Sequence, residues 1–330
     1  MSTNINLIKA NNLNKVRSEL KSAGNATKSQ LSELTGLSVV TINSLVNALI
    51  DTGEVLPDSL SNFRGGRPAA SFSYNSKFIM ALAIYMHEFY GQDTVYFCAV
   101  DLRGEVIERV KYAMHNITIE SFDTGIETFM RKFPQIKALC IGIPGVEVNN
   151  SLIISDYKHT RGFSLSGHIR DKFHLPVIVE NDVNAAVLGY CRRNNITDDK
   201  CVIGLYFPDK YPPGAGIYLN GKIYRGKNGL AGEIKYLPLG IDWETFDHNP
   251  PEKNEIVIKS IQAAICMYNP DRIVLYSECG KNEVPEIINK KCDSMVEKIM
   301  LPEIISSTDL NGDFEAGMEF IALSMIVISA

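Results

Sequence analysis

The sequence predicts an α/β protein in which a small N-terminal winged helix-turn-helix precedes a larger α/β domain. Three observations carry this reading. Residues 11–56 hold three stretches with apolar residues at helical spacing, each opened or closed by a capping signal. A Gly- and Arg-rich segment follows, and from Phe78 onward β-rich runs alternate with helical ones, as when helices pack on sheets. At 330 residues the chain exceeds the roughly 250–300 at which a single core stops growing, so at least two domains are expected.

The first helix is expected over 12–23, ended by Gly24. Thr27-Lys28-Ser29-Gln30 has the form of a capping box, in which Thr27 accepts from a free backbone N–H and Gln30 reaches back, so a second helix runs to Thr35. Gly36 suits the positive φ of a tight turn, and Ser38 is a natural N-cap for a third helix ending near Asp51. On that helix Ile42, Leu45, Val46 and Leu49 fall on one face, leaving Thr41, Asn43, Ser44 and Asn47 outside. Gly53 stops it. The stretch 54–74 alternates around Phe63-Arg64-Gly65-Gly66-Arg67-Pro68 and suits a β-hairpin wing. Further strands are expected at 80–84, 95–100, 138–143, 176–179, 201–206 and 272–276, and the apolar tail 318–330, interrupted by Glu319, as a buried terminal helix.

Apolar residues at 45% and charged residues at 22% are ordinary for a folded protein. A net charge of −5 argues against a chain that coats nucleic acid along its length, but the charge is uneven. Residues 1–70 carry seven basic and five acidic side chains, a balance of +2, which leaves −7 on the other 260. Such asymmetry points to nucleic acid at the N-terminus. The seven cysteines are widely spaced with no Cys-x-x-Cys pair, as for buried thiols in a reducing compartment rather than a disulfide framework or zinc cluster. Residues 1–12 lack the apolar core of a signal peptide and 318–330 is too short to span a bilayer, so a cytoplasmic location without a membrane partner is expected.

A polar third helix after a tight turn is the element that enters a major groove, where base edges present a readable code. Thr41, Asn43, Ser44 and Asn47, with the cap residue Ser38, are therefore candidate DNA contacts, and Lys28 and Ser29 candidate backbone contacts. Arg64 and Arg67 can meet phosphates or a narrow minor groove where glycines let the chain approach closely. Read from these residues alone, the helices also fit a three-helix unit without a nucleic-acid partner, and the Arg-Gly-Gly-Arg-Pro run also fits an interdomain turn.

Specific blocks sharpen the choice. Gly36-Leu37-Ser38, Leu49-Ile50-Asp51-Thr52-Gly53 and Gly65-Gly66-Arg67-Pro68 resemble the DNA-binding half of ROK-family repressors. Gly142-Ile143-Pro144-Gly145-Val146, Glu180-Asn181-Asp182-Val183-Asn184-Ala185-Ala186, Asn220-Gly221-Lys222-Ile223-Tyr224-Arg225-Gly226 and Asn228-Gly229-Leu230-Ala231-Gly232-Glu233-Ile234 resemble, in order, blocks of the same family's sugar-kinase-like domain. The resemblance implies an actin-like, ribonuclease H-like domain of two lobes. It implies that Asn181, Asp182 and Glu233 hydrogen-bond sugar hydroxyls, that Gly145 lets a loop approach the ring, and that Asp182 stands where family kinases keep their catalytic base. The alternative for Asn181 and Asp182 is a strand-end turn that caps the next helix.

The departures are as informative. Where family kinases open with a DxGGT phosphate loop, this chain reads Ala83-Ile84-Tyr85-Met86-His87-Glu88-Phe89-Tyr90. Pro208-Asp209-Lys210-Tyr211-Pro212-Pro213 replaces the second phosphate loop, and prolines lack the N–H groups that cradle phosphate. Leu275-Tyr276-Ser277-Glu278 replaces the glycine-rich adenosine segment. Tyr236 stands where the family has a histidine that holds zinc and touches sugar, no cysteine lies between Cys201 and Cys266, and Asp156 aligns loosely with a family asparagine. Val39 and Val40 occupy positions where family repressors often carry arginine.

The domains expected are a winged helix-turn-helix at 1–70, a linker at 71–76 and a ROK domain at 77–330, with lobe one at about 77–182 plus the C-terminal helix and lobe two at about 183–315. The function implied is regulation of transcription by a homodimer or tetramer that binds duplex DNA at an inverted repeat and answers to a sugar effector. Gly145, Asp156, Asn181, Asp182, Glu233 and Tyr236 are the candidate effector contacts. No enzymatic activity, metal or other cofactor is expected. The rival readings are an active sugar kinase and a regulator whose pocket has decayed.

Overall fold

A computed structural model describes residues 2–58, 70–89, 92–155, 157–208, 211–243, 252–277 and 297–326. The chain divides into two compact units, one comprising Met1–Met80, Asp101–Glu105 and Ile326–Ala330, the other Ala81–Val100 and Val106–Met325.

In the first unit, helices α1 (Ser2–Ala23), α2 (Lys28–Thr35) and α3 (Val39–Asp51) alternate with short strands β1 (Asn25–Thr27), β2 (Val55–Pro57) and β3 (Ser71–Tyr74). Local chemistry sets the helix ends. Thr27 Oγ1 accepts from Gln30 N while the Gln30 side chain accepts from Thr27 N at 2.8 Å, Gly36 closes α2 at φ 71°, and Ser38 Oγ accepts from Thr41 N at 3.2 Å. Helices α2 and α3 turn through 112°, within the range of DNA-reading helix pairs. Ile42, Leu45, Val46 and Leu49 are buried with Val16, Leu20, Leu31 and Phe72 in one core. Arg17 is also buried there, its guanidinium donating to both carboxylate oxygens of Glu54 at 2.6 and 2.8 Å.

Two expectations are corrected here. Helix α1 starts at Ser2, ten residues before the expected 12, because the polar N-terminus contains no helix breaker to stop it. Ser71–Tyr74, expected as the end of the hairpin wing but also assigned to the linker, is no linker: it pairs with Val55–Pro57 and is the middle strand of a sheet ordered β1-β3-β2. Its pairing with Asn25–Thr27 is long-range, so no local pattern announces it. Asp58 ties the base of the wing by accepting from the Ser71 and Ser73 hydroxyls at 3.2 and 2.8 Å. Arg64 and Arg67 lie outside the described residues.

The second unit contains two five-stranded sheets. The first has the order β10-β7-β4-β5-β6, built from β4 (Met80–Phe89), β5 (Gln92–Asp101), β6 (Val106–Ala113), β7 (Ile136–Ile143) and β10 (Val177–Asn181). A hairpin of β8 (Gly145–Val148) and β9 (Ser151–Ser155) follows β7. The second sheet has the order β13-β12-β11-β14-β15, from β11 (Val202–Phe207), β12 (Gly214–Leu219), β13 (Lys222–Ile223), β14 (Arg272–Ser277) and β15 (Glu303–Ser307). The inner strands are nearly all apolar, as befits strands covered on both faces. Helices α4 (Asp123–Lys132), α5 (Leu165–Phe173), α6 (Asp182–Arg193), α7 (Glu252–Tyr268) and α8 (Leu310–Ser324) accompany them.

Helices α6 and α8 join the two lobes: α6 packs on β11 and β12, α8 packs on β7, and the two helices pack on each other. Their backbones meet at two glycines. A Cβ at Gly189 would lie 1.8 Å from Asp313 O, and one at Gly317 would lie 1.9 Å from Ala185 O. Beneath the crossing Asp313 accepts from Tyr276 Oη at 2.8 Å and from Arg193 Nη1 at 2.6 Å.

On α8, burial first and the neighbouring Glu315 second push the Glu319 carboxyl up to about 7, against a smaller pull from Arg109. The folded state therefore holds a proton that the unfolded chain releases above its ordinary value near 4.5. Stability should fall as pH rises from about 4.5 to 7 and level off above, by at most about 3 kcal/mol from this group. Urea unfolding of Glu319→Gln at pH 5 and 7.5 should show that slope reduced relative to the wild type. Parallel slopes in the two proteins would remove Glu319 as its source.

Candidate functional site

In the second unit the ends of both sheets face one pocket. Its floor is the β10–α6 junction, where Asn181 ends the strand and Asp182 begins the helix. Asn181 caps α6: its Oδ1 accepts from Asn184 N at 3.1 Å and its Nδ2 donates to Gly145 O at 3.5 Å. Asp182 Oδ1 accepts from Val183 N at 2.9 Å. The turn-and-cap role weighed in the sequence is thus present, and it is what holds both side chains at the pocket.

One wall is the start of the β8–β9 hairpin, where a Cβ at Gly145 would come within 2.5 Å of Ile154 O. Glycine here answers first to the partner strand, whose closeness also lets the hairpin border the pocket. The opposite wall is the segment after Gly232. Gly232 has φ 92° and its added Cβ would lie 1.9 Å from Ala215 O, so only glycine lets this segment lie against β12. That contact sets Glu233 at the pocket, paired with Lys235 at 3.0 Å.

The structure therefore brings Gly145, Asn181, Asp182 and Glu233 together around one pocket open to solvent. Tyr236 does not join them. It is 73% exposed, and Lys235, its predecessor, takes the wall position instead while its ammonium stands 5.4 Å from the Tyr236 ring centre. Asp156 lies outside the described residues.

Sequence reasoning missed Lys235, Met86, Tyr157, Tyr206 and Tyr211 as lining residues. Two of them carried a signal. Met86 falls in the segment that replaces the first phosphate loop, and Tyr211, with Pro208, Pro212 and Pro213, in the segment that replaces the second. Those segments lack the residues of phosphate loops, and in the structure they are walls of the pocket.

Behind Asn181 the Glu180 carboxylate, 5% exposed, binds three groups: Asn181 N at 3.0 Å, Asn184 Nδ2 at 3.2 Å and the Arg225 guanidinium. Two blocks 45 residues apart in sequence are thereby clamped together. Among the described residues no group of three His, Cys, Asp or Glu side chains could hold a metal ion.

A second candidate surface lies on the first unit. Asn43, Ser44 and Asn47 are exposed on α3, and Thr41 beside them is partly exposed. Lys28 reaches across from α2, its ammonium donating to Asn43 Oδ1 and, at 3.4 Å, to Asn47 Oδ1. The same ammonium stands 5.1 Å from the Phe72 ring centre. Ser29 is exposed at the start of α2, and Ser38 is engaged with Thr41 as the cap of α3. The next exposed side chains on α3 are Val39 and Val40, so this face combines amides, hydroxyls and one cation with an apolar edge.

A helix-turn-helix unit carrying a polar third helix and a two-lobed, actin-like domain with a polar interlobe pocket are the two parts of this molecule. Residues 90–250 match the ROK-family model. Among curated proteins it is 27% identical over 241 residues to the xylose repressor of Bacillus spizizenii, covering 68% of this chain and 58% of that one. It is 22% identical over 252 residues to the DNA-binding transcriptional dual regulator NagC of Escherichia coli, covering 72% and 60%. The matches thus span less than two thirds of these relatives' length. A solved ROK-family transcriptional regulator, described as a homologue of the E. coli Mlc protein, superposes over 96% of this chain and 97% of its own with a TM-score of 0.64 at 16% identity, which shows the shared fold.

Proposed function

We propose that this chain is a DNA-binding transcriptional repressor whose affinity for its operator is set by a sugar or sugar derivative held between the lobes, and that it transfers no phosphate. The observation that carries the reading is selective retention within one pocket. Asn181, Asp182 and Glu233 keep the closely spaced donors and acceptors a polyhydroxylated ligand needs, while proline and methionine line the places where phosphate would need N–H groups. Phosphoryl transfer rests on positioned phosphates and metal, so a carboxylate at Asp182 alone is not sufficient for it. The repressor names of the relatives support the same reading.

The described charged residues of the pocket are Asp182, Glu233 and Lys235, a balance of −1. An uncharged sugar is therefore favoured over its phosphate. Tyr157, Tyr206 and Tyr211 offer flat faces against which a ring can lie.

DNA is met by the α3 face, with Lys28 as a phosphate contact and Asn43, Ser44 and Asn47 at base edges, while Arg64 and Arg67 remain wing candidates. Lys28→Ala should weaken binding to every sequence and reduce the slope of log K against log salt by about one. Asn47→Ala should instead cost about 1–3 kcal/mol on the preferred site and little elsewhere. Titrations of both variants on preferred and scrambled duplexes at several salt concentrations separate the two effects. Wild-type behaviour of both variants would take α3 out of the interface.

A further inference from the structure

Val40 is the second residue of α3 and is 81% exposed. It shares one helix face with Asn43, Ser44 and Asn47, since the spacing is i, i+3, i+4 and i+7, and all four side chains are exposed. The opposite face, with Ile42, Leu45, Val46 and Leu49, is buried in the core. Val40 therefore leads, from the N-terminal end, the same stripe that carries the candidate base contacts.

Nothing within the unit accounts for an apolar side chain there. Valine is a weaker helix former than most residues, and at this exposure it contributes little burial. A major groove does account for it. The N-terminal residues of a recognition helix are those that reach base edges, and the one apolar group on those edges is the thymine 5-methyl. Guanine is read chiefly by Arg or Lys, and α3 contains neither. Lys28, the cation beside this face, stands against Asn43 and Asn47, so charge for the phosphates flanks the middle of the stripe and leaves its N-terminal end apolar.

We infer that Val40 is a specificity-determining residue that packs on the 5-methyl group of a thymine in the half-site α3 enters. The inference rests on the proposed DNA-binding role of α3 and adds to it the kind of base pair met at that position.

Deoxyuridine in place of thymidine removes the methyl group and keeps every hydrogen-bonding group of the base, so it isolates this contact. A preferred duplex is first selected from random sequences with the full chain, and each thymine of its half-site is then replaced in turn. At one thymine the uracil duplex should bind the wild type about fourfold more weakly, as expected for one methyl group taken out of water. Val40→Ala should bind the thymine and uracil duplexes alike at that position, and Val40→Ile should keep the difference. Alanine is the better helix former and the site is exposed, so an unchanged circular dichroism spectrum should accompany the loss. Selection of no preferred duplex would remove the DNA-binding reading and this inference together. With a preferred duplex in hand, no thymine sensitive to uracil, or a sensitivity that persists in Val40→Ala, would overturn the inference alone.

Discussion

Gly189→Ala is expected to destabilise the second unit by about 3 kcal/mol or more, and Gly317→Ala by a similar amount. Each new methyl group would stand under 2 Å from a backbone carbonyl oxygen on the other helix, Asp313 O in one case and Ala185 O in the other. A flexible side chain could turn away; a helix backbone cannot. The helices would have to separate, loosening the packing around Phe314 and Met318, both fully buried on α8. Overpacking of this kind costs typically 1–3 kcal/mol and more where the neighbour is rigid. For a unit of this size that corresponds to a fall of about 6–12 °C in Tm. Because α6 begins at Asp182, ligand affinity should fall as well. A thermal shift below about 2 °C for both variants would mean that the helices do not meet as described.

Glu54→Ala is the second large effect, and it should strike the first unit alone. Arg17 is 7% exposed and Glu54 4%, and the pair links α1 to the turn before β2. Asn14 Oδ1 accepts from Arg17 Nη1 at 2.9 Å and Thr52 Oγ1 donates to Glu54 Oε1 at 3.3 Å, so the network is closed on both sides. Removing the carboxylate leaves a buried guanidinium, which costs about 3–5 kcal/mol. Lys21, whose amine is already held below its usual range by burial and by Arg17, loses a favourable partner at the same time. DNA affinity should drop sharply at 37 °C while the fluorescence transition of Trp243, the single tryptophan and part of the other unit, stays where it is. Unchanged DNA affinity, or a matching shift in the Trp243 transition, would contradict this.

What was legible in the sequence follows the range of the interactions concerned. The turn between α2 and α3 could be read because its determinants sit within four residues of one another: Thr27 with Gln30, Ser38 with Thr41, Gly36 by itself. The inward face of α3 could be read from periodicity. The pairing of strand β3 with β2 could be read as the hairpin at 54–74, but its pairing with Asn25–Thr27 could not, since three residues that far away leave no local pattern. In the pocket, Asn181, Asp182 and Glu233 were reached through resemblance, whereas Lys235 reaches the wall only because Gly232 lies against β12. Nor does any spacing reveal that Glu180 receives Arg225, a partner chosen by the packing of two lobes. Tyr236 shows the opposite case, a position assigned by alignment whose side chain the backbone turns to solvent.

The most direct test of the whole account is selection of genomic DNA fragments by the purified full chain, followed by elution with a panel of uncharged pentoses, hexoses and amino sugars. The account predicts enrichment of fragments sharing an inverted repeat, since two-fold oligomers read matched half-sites. It further predicts that at least one sugar shifts the affinity by about 5–150-fold, that is by 1–3 kcal/mol of coupling, and that Glu233→Ala abolishes the shift while retaining DNA binding. Enrichment of no sequence, or an enriched sequence whose affinity no sugar alters, would contradict it.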